Sequence, residues 1–301
     1  MRDGVILRAD ILRPADDQRH AVLVFRTPYD KSEGDTANEL TFHRAVERGY
    51  AVVVQDVRGR FASQGVFDPY VNEGKDGYDT IEWAAAQTWS DGRVGTFGLS
   101  YPGAVQWLAA VEAPPHLRAM APAMTSSNLD ASVYFGGVFE SDWARWSYQY
   151  MAPDARARSG IPGPKTYAAA KERWNELGVD AFQMHLPALR MPYLRGAAPW
   201  YYRWIRNGPY SPALAYGDVR GRYGDVTAAV LNLSGWYDEA YGSEGAMTNF
   251  AGLLAARSGQ ADPRTQLVIG PWTHGVESTR TPSAGERAFG SGAVVDYDAI
   301  V

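Results

Sequence analysis

Short unbroken apolar runs recur along the chain, separated by stretches with helical spacing. Ala21-Val22-Leu23-Val24-Phe25 and Tyr50-Ala51-Val52-Val53-Val54 are two of them, the mark of strands buried on both faces of a parallel sheet. Arg93-Val94-Gly95-Thr96-Phe97, Met120–Met124, Val230–Leu233 and Gln266–Ile269 continue the series. Ahead of them, Val5, Leu7, Ala9 and Ile11 alternate with Ile6, Arg8, Asp10 and Leu12, which suits an antiparallel strand or hairpin. Thr36-Ala37-Asn38-Glu39 reads as a capping box and Gly49 as a C-terminal stop around a first helix. A second helix is expected from about Tyr78 to Gln87. A third, Ala104–Val111, is apolar nearly all round and is stopped by Pro114-Pro115. Strands alternating with helices at this spacing predict a mostly parallel, doubly wound α/β sheet.

Residues 127–225 break the rhythm. This section is rich in aromatics, Pro and Arg and shows helical periodicity. Phe139, Trp143, Trp146 and Tyr150 fall at i, i+4, i+7 and i+11, one face of a helix. The stripe suits the core of an inserted subdomain, and Trp143 and Trp146 are also candidates to wall a ligand pocket over the core. The organisation expected is therefore a core of residues 1–126 and 226–301 with a helical lid, 127–225, inserted between its halves.

Composition narrows the chemistry. The net charge of −5 gives no electrostatic case for nucleic acid or anionic membranes. There is no cysteine, hence no disulfide, thiolate nucleophile or Cys-ligated metal. The five histidines form no zinc-ligand spacing, and no phosphate-binding glycine motif is present. No metal and no cofactor are expected. The N-terminus lacks the apolar core of a signal peptide and no stretch is long enough to span a bilayer, so a cytoplasmic location is the expectation.

One hexapeptide carries a specific chemistry. Gly98-Leu99-Ser100-Tyr101-Pro102-Gly103 follows a predicted strand and precedes a predicted helix, which is the setting of the Gly-x-Ser-x-Gly nucleophile turn, here with its second glycine one residue later. Glycines flank the serine, Gly98 two residues before it and Gly103 three after, because a Cβ there would meet the neighbouring strand and helix. A serine hydroxyl needs a histidine base, itself oriented by a carboxylate. In α/β-hydrolases these follow in the order Ser, Asp or Glu, His, on loops after strands. Asp238, just past the strand ending near Leu233, and His274, just past Ile269, are the candidates. Glu239 and, further off, Glu244 are rivals for the acid. His20, His43, His116 and His185 lie away from the carboxyl ends of strands, where catalytic groups of open α/β sheets sit. The N–H of Tyr101 is one candidate oxyanion donor. The other lies in Arg26-Thr27-Pro28-Tyr29-Asp30-Lys31, where the Tyr29 hydroxyl could donate or the ring could simply pack.

These segments, with Asp56-Val57-Arg58-Gly59-Arg60-Phe61-Ala62-Ser63-Gln64-Gly65, Gly235-Trp236-Tyr237-Asp238 and Gly270-Pro271-Trp272-Thr273-His274-Gly275, resemble the cocaine esterase / X-Pro dipeptidyl-peptidase family of acyl hydrolases, in order along nearly the whole chain. The resemblance implies an α/β-hydrolase fold with an inserted helical lid. It implies Ser100 as nucleophile, His274 as base, Asp238 as acid, and Tyr29 with Tyr101 as oxyanion hole. Arg58 and the surrounding Asp-x-Arg-Gly segment read as scaffolding, with direct substrate contact as the alternative. Family members ordinarily continue past the catalytic histidine into a final core helix and a C-terminal jelly-roll domain. This sequence stops at Val301, which leads to the expectation of a fragment or minimal variant with an uncovered sheet face, through which copies could associate. The expected activity is hydrolysis of a small carboxylic ester. Peptide or amide substrates for the same residues, and a catalytically inactive binding or assembly domain, are the alternatives. Glu239-Ala240-Tyr241-Gly242 does not match the acidic cluster with which α-aminoacyl-specific members hold an ammonium, although Glu140 and Asp142 in the lid leave that substrate open.

Overall fold

The computed structural model describes residues 1–33, 42–259 and 262–300; the expected capping box at residues 36–39 lies outside them. The chain divides into two compact units, Met1–Asn128 with Gly217–Val301, and Leu129–Tyr216. The first half of the larger unit runs β1 (Ala9–Leu12), β2 (His20–Thr27), α1 (Phe42–Glu47), β3 (Ala51–Asp56), α2 (Glu73–Ala85), β4 (Ser90–Leu99), α3 (Tyr101–Ala110) and β5 (Leu117–Ala123). The apolar runs are strands, and of the alternating N-terminal stretch the second half, Ala9–Leu12, pairs antiparallel with β3. Helix α2 begins five residues before its expected start. Gly74, Gly77 and the acidic residues Glu73 and Asp76 hid its first turns, and all four have tertiary reasons. A Cβ on Gly77 would lie 2.5 Å from that of Ala109, and one on Gly74 would lie 2.9 Å from the Leu108 carbonyl, so the glycines let α2 press against α3. The two acids are buried in ion pairs with Arg26 and Arg58.

The smaller unit holds α4 (Leu129–Val133), a hairpin of β6 (Tyr134–Phe135) and β7 (Val138–Phe139), α5 (Asp142–Arg145), α6 (Ala152–Ser159), α7 (Tyr167–Leu177) and α8 (Pro199–Asn207). The single helical face expected for Phe139, Trp143, Trp146 and Tyr150 is not formed. Phe139 sits on β7, and Trp146–Met151 is a π-helical turn between α5 and α6. Such a turn inserts a residue into the helix and rotates the positions after it out of register. Trp143 is nevertheless buried, its indole edge-on to Trp146 at 5.2 Å and to Trp204 at 5.5 Å. Its N–H donates to the Ser132 carbonyl at 2.8 Å. Trp146 is half-buried beside it.

The chain then completes the larger unit with β8 (Ala229–Gly235), α9 (Glu244–Ala256) and β9 (Thr265–Gly270). Residues 217–225, expected in the insertion, cluster with this unit instead. The Tyr223 ring lies where a side chain on Gly252 of α9 would be and is edge-on to Trp107. The sheet order is β1-β3-β2-β4-β5-β8-β9, with all neighbours parallel except β1 and β3. Phe25, Phe42 and Phe97 meet at 5.3–6.0 Å in the cluster that ties α1 to the sheet. Helices α2 and α3, none of whose residues join that cluster, pack against each other and onto β4. Beside α1 the sheet carries a groove of about 350 Å³, floored by Leu23, Phe97, Ala121 and Leu231 and edged by Arg44 and Asp298. Among the described residues no helix is long and apolar enough to cross a membrane.

Candidate active site

The turn between β4 and α3 is sharp because Ser100 takes φ +67° and ψ −125°. A non-glycine residue held there costs about 1–3 kcal/mol, so its surroundings must impose it. The Ser100 N–H donates to the Ala123 carbonyl of β5 at 3.0 Å, and its carbonyl accepts from Gly103 and Ala104 at 2.9 and 3.0 Å. The two motif glycines make this geometry possible. Gly98 has φ +137°, and a Cβ on it would meet Pro102 at 2.5 Å. A Cβ on Gly103 would meet Thr125 at 2.8 Å and the Ala123 carbonyl at 2.9 Å.

Tyr101, the first residue of α3, is held by groups with no obvious motif. Its hydroxyl donates to Glu73 Oε1 at 2.9 Å and accepts from the Tyr70 N–H at 3.1 Å. Tyr70 stacks on its ring at 4.6 Å. The second carboxylate oxygen of Glu73 is 2.8 Å from the Arg26 guanidinium, and both side chains are at most 4% exposed. Burial raises the Glu73 carboxyl pKa, opposed by Arg26. Arg26 is further tied to Gln55 Oε1 at 3.0 Å and to the Glu73 carbonyl at 3.0 Å. A buried ion pair thus lies beneath the first turn of α3.

Asp238 and His274 come together across adjacent strands. Gly235 and Gly270 are register partners at the ends of β8 and β9, so the loops bearing the two residues leave the sheet side by side. His274 Nδ1 lies 2.9 Å from Asp238 Oδ1. A carboxylate can only accept, which makes Nδ1 the protonated nitrogen and leaves the Nε2 lone pair free to take a proton. The same Oδ1 accepts the N–H groups of Ala240 at 2.9 Å and Tyr241 at 3.2 Å. Glu239, the rival acid, accepts instead from the His274 backbone N–H at 3.0 Å. Asp238 is buried while the imidazole retains 21% exposure, as a group that exchanges protons with a ligand requires.

Tyr29 lies half-buried on the loop after β2, close enough to Tyr70 for their phenols to interact electrostatically. Its loop is pinned from below. Asp56, at the end of β3, accepts the Lys31 N–H at 2.8 Å with one oxygen and the Ala62 N–H at 3.2 Å with the other. Arg60 donates to the Pro28 carbonyl at 2.8 Å. Burial pushes the Asp56 carboxyl up to about 6. Arg58 pairs with Asp76 at 2.6 Å and Asp3 at 2.8 Å, holding the N-terminal segment to α2. Among the other histidines, His20 bonds to Gly49 and Asp16, and His116 to Glu82. Trp143 and Trp146 belong to the other compact unit.

Four neighbours of the site were not singled out in the sequence. They are Arg26, Tyr70, Glu73 and Tyr241. For Tyr241 a signal existed: it lies three residues after Asp238 on one loop. Arg26 and Glu73 are 47 positions apart and only the fold pairs them.

Comparison with known proteins follows the same features. The chain is 33% identical to the cocaine esterase of Rhodococcus sp. (strain MB1 Bresler) over 97% of its length and 50% of the relative's. It therefore spans about half the length of the curated relatives it matches. A crystal structure of an aminopeptidase from a marine sediment Thaumarchaeota archaeon superposes with TM-score 0.70 at 20% identity, over 97% of this chain and 51% of that one. A CocE/NonD family hydrolase from Staphylococcus aureus gives 0.63 at 23% identity, over 90% and 44%. At such identities these two likenesses establish the α/β-hydrolase-type fold. The sequence profile of the X-Pro dipeptidyl-peptidase (S15) family matches residues 3–276, running through the Ser100 turn, Asp238 and His274, and the protein belongs to that family of hydrolases.

Proposed function

We propose that this protein is a serine hydrolase that cleaves carboxylic esters through an acyl-enzyme. The observation that carries the proposal is the Asp238–His274 hydrogen bond of 2.9 Å, on loops of the sheet whose β4 presents Ser100 in a strained turn. As Ser100 Oγ attacks the ester carbonyl carbon, His274 Nε2 takes its proton. Asp238 holds the ring in the required tautomer and stabilises the imidazolium. The Tyr29 hydroxyl and the Tyr101 N–H donate to the oxyanion of the tetrahedral intermediate. His274 then protonates the departing alkoxide, leaving acyl-Ser100. Water, deprotonated by the same imidazole, attacks the acyl carbon and releases the acid and free Ser100. A chain without cysteine is indifferent to thiol redox, which suits the cytoplasmic setting included in this proposal.

Turnover of a short p-nitrophenyl ester and labelling by a fluorophosphonate test it. Both are expected for the native chain and both vanish in Ser100→Ala. Turnover that survives this substitution in folded protein overturns the assignment, and so does folded native chain that is not labelled. The family profile, described by its X-Pro dipeptidyl-peptidase members, favours a second reading, in which the same residues open an amide. An Ala-Pro nitroanilide assayed beside the ester separates the two.

A further inference from the structure

The segment that follows β3 reaches both residues proposed above for the oxyanion hole. Thr27 and Asp56 are register partners at the ends of β2 and β3, so the loop bearing Tyr29 leaves the sheet beside the turn that begins at Asp56. The Asp56 and Arg60 side chains are fully buried, and they grip that loop on either side of Tyr29. Arg60 Nε donates to the carbonyl of Pro28, the residue before it, at 2.8 Å. Asp56 Oδ1 accepts the N–H of Lys31, just after it, at 2.8 Å, and Oδ2 accepts the Ala62 N–H at 3.2 Å. Between the two anchors Asp30 is held at φ +82°, a conformation that side chains rarely adopt and that the surroundings must impose. The Arg60 guanidinium also lies 5.2 Å from the centre of the Phe67 ring, itself 6.1 Å from the ring of Tyr101. Arg58, between Asp56 and Arg60 in the chain, pairs instead with Asp76 and Asp3.

We propose that Asp56 and Arg60 are positioning residues for the oxyanion hole, fixing the Tyr29 loop so that its hydroxyl is in place before charge develops on the substrate oxygen. A donor stabilises an oxyanion at about 2.7–3.1 Å, and costs no reorganisation only if it is already held there. Hydrogen bonds to ionised groups are about twice as strong as neutral ones, and a buried charge cannot exchange them for bonds to water. The loop is therefore tied on both sides of Tyr29 by bonds that hold it to one geometry. Asp56 suits this task because a carboxylate accepts at both oxygens. An amide of the same shape has one acceptor. In either orientation it would turn its NH2 group on the Lys31 or the Ala62 N–H and break the link between the two segments. Both residues act through Tyr29 rather than on the substrate, which sets what a test must show.

The proposal rests on Tyr29 being an oxyanion donor, and a double-mutant cycle separates the two. Turnover of a short p-nitrophenyl ester at about pH 8, where a carboxyl at about 6 is ionised, gives kcat and KM for Asp56→Asn, Tyr29→Phe and the double variant. Asp56→Asn is expected to lower kcat about ten- to hundredfold, the effect of misplacing a catalytic group by about 1 Å. KM is expected to stay within about twofold, since the lost interaction is made only in the transition state. In the Tyr29→Phe background the same substitution is expected to change kcat less than about twofold, there being no hydroxyl left to misplace. Arg60→Met, which keeps the apolar stem and removes the donor to Pro28, is expected to give the same pattern, and where one of the two variants does not fold the other carries the test. An unchanged kcat in the folded variant overturns the proposal. An equal fall in both backgrounds also overturns it, because general distortion lowers kcat whether or not Tyr29 has its hydroxyl. An unchanged kcat in Tyr29→Phe alone removes the donor and this proposal with it, while fluorophosphonate labelling still reports on Ser100 as nucleophile. A folded native chain that is not labelled removes the proposed function as well.

Discussion

Substituting Glu73 by alanine tests whether the Ser100 turn depends on buried charge. The Glu73 carboxylate is almost fully enclosed and sits 2.8 Å from an equally enclosed Arg26 guanidinium. It also accepts the Tyr101 hydroxyl at 2.9 Å. Glu73→Ala leaves Arg26 charged in the interior, with Gln55 Oε1 and the Glu73 carbonyl as its remaining acceptors. Neither can neutralise it. Breaking a buried pair by removing one partner costs about 3–5 kcal/mol, because the surviving charge cannot regain its hydration. That is a large part of the ~5–15 kcal/mol that holds a domain folded. Arg26→Met/Glu73→Leu removes both charges and keeps the volume, so it is expected to recover at least ~2 kcal/mol of the loss. Urea unfolding followed by tryptophan fluorescence measures both variants, with the midpoint moving and the slope constant. The reasoning fails if Glu73→Ala costs less than ~1 kcal/mol, or if the double variant is less stable than the single one.

Gly103→Ala is expected to lower the thermal midpoint and slow labelling of Ser100, because the new Cβ would lie 2.9 Å from the Ala123 carbonyl and push α3 from β5; overpacking of this kind costs about 1–3 kcal/mol. Tyr29→Phe should reduce kcat on the order of 10²–10³ if its hydroxyl serves the oxyanion, and an unchanged kcat moves that donor elsewhere. Asp56 binds its proton more tightly folded, at about 6 against 3.8 unfolded, so its contribution to stability is present at low pH and is lost as pH rises through about 6. Relative to Asp56→Asn, the native chain should therefore gain about 2 kcal/mol of unfolding free energy between about pH 8 and about pH 4.5. Parallel pH profiles of the two proteins would rule this out.

Much of the sheet could be read from the chain because its signals are local. Buried parallel strands need four or five consecutive apolar residues, and Val22–Phe25 and Ala51–Val54 supply them without reference to anything distant. The turn at Ser100 was legible for the same reason: a strand, two glycines and a helix lie within a dozen positions. Signals that depended on packing were lost. Helix α2 was read short because Gly74 and Gly77, breakers in isolation, are what allow its contact with α3. The stripe from Phe139 to Tyr150 was read as one helical face because periodicity cannot reveal a π-helical turn at Trp146–Met151.

The division at the candidate site follows the same physics. Sequence order alone set Ser100, Asp238 and His274 at the carboxyl ends of their strands, since strand ends and loop residues are adjacent in the chain. Which carboxylate meets the imidazole was a tertiary decision. Asp238 and Glu239 are neighbours, and only the side-by-side exit of the loops after Gly235 and Gly270 turns one to Nδ1 and the other to the backbone N–H of His274. The support beneath the turn was decided there too. Arg26, Tyr241 and the pair Tyr70 and Glu73 come from three separate segments. A hydrogen bond or ion pair acts over about 3 Å, a proximity that chain spacing cannot encode and that the closed fold creates.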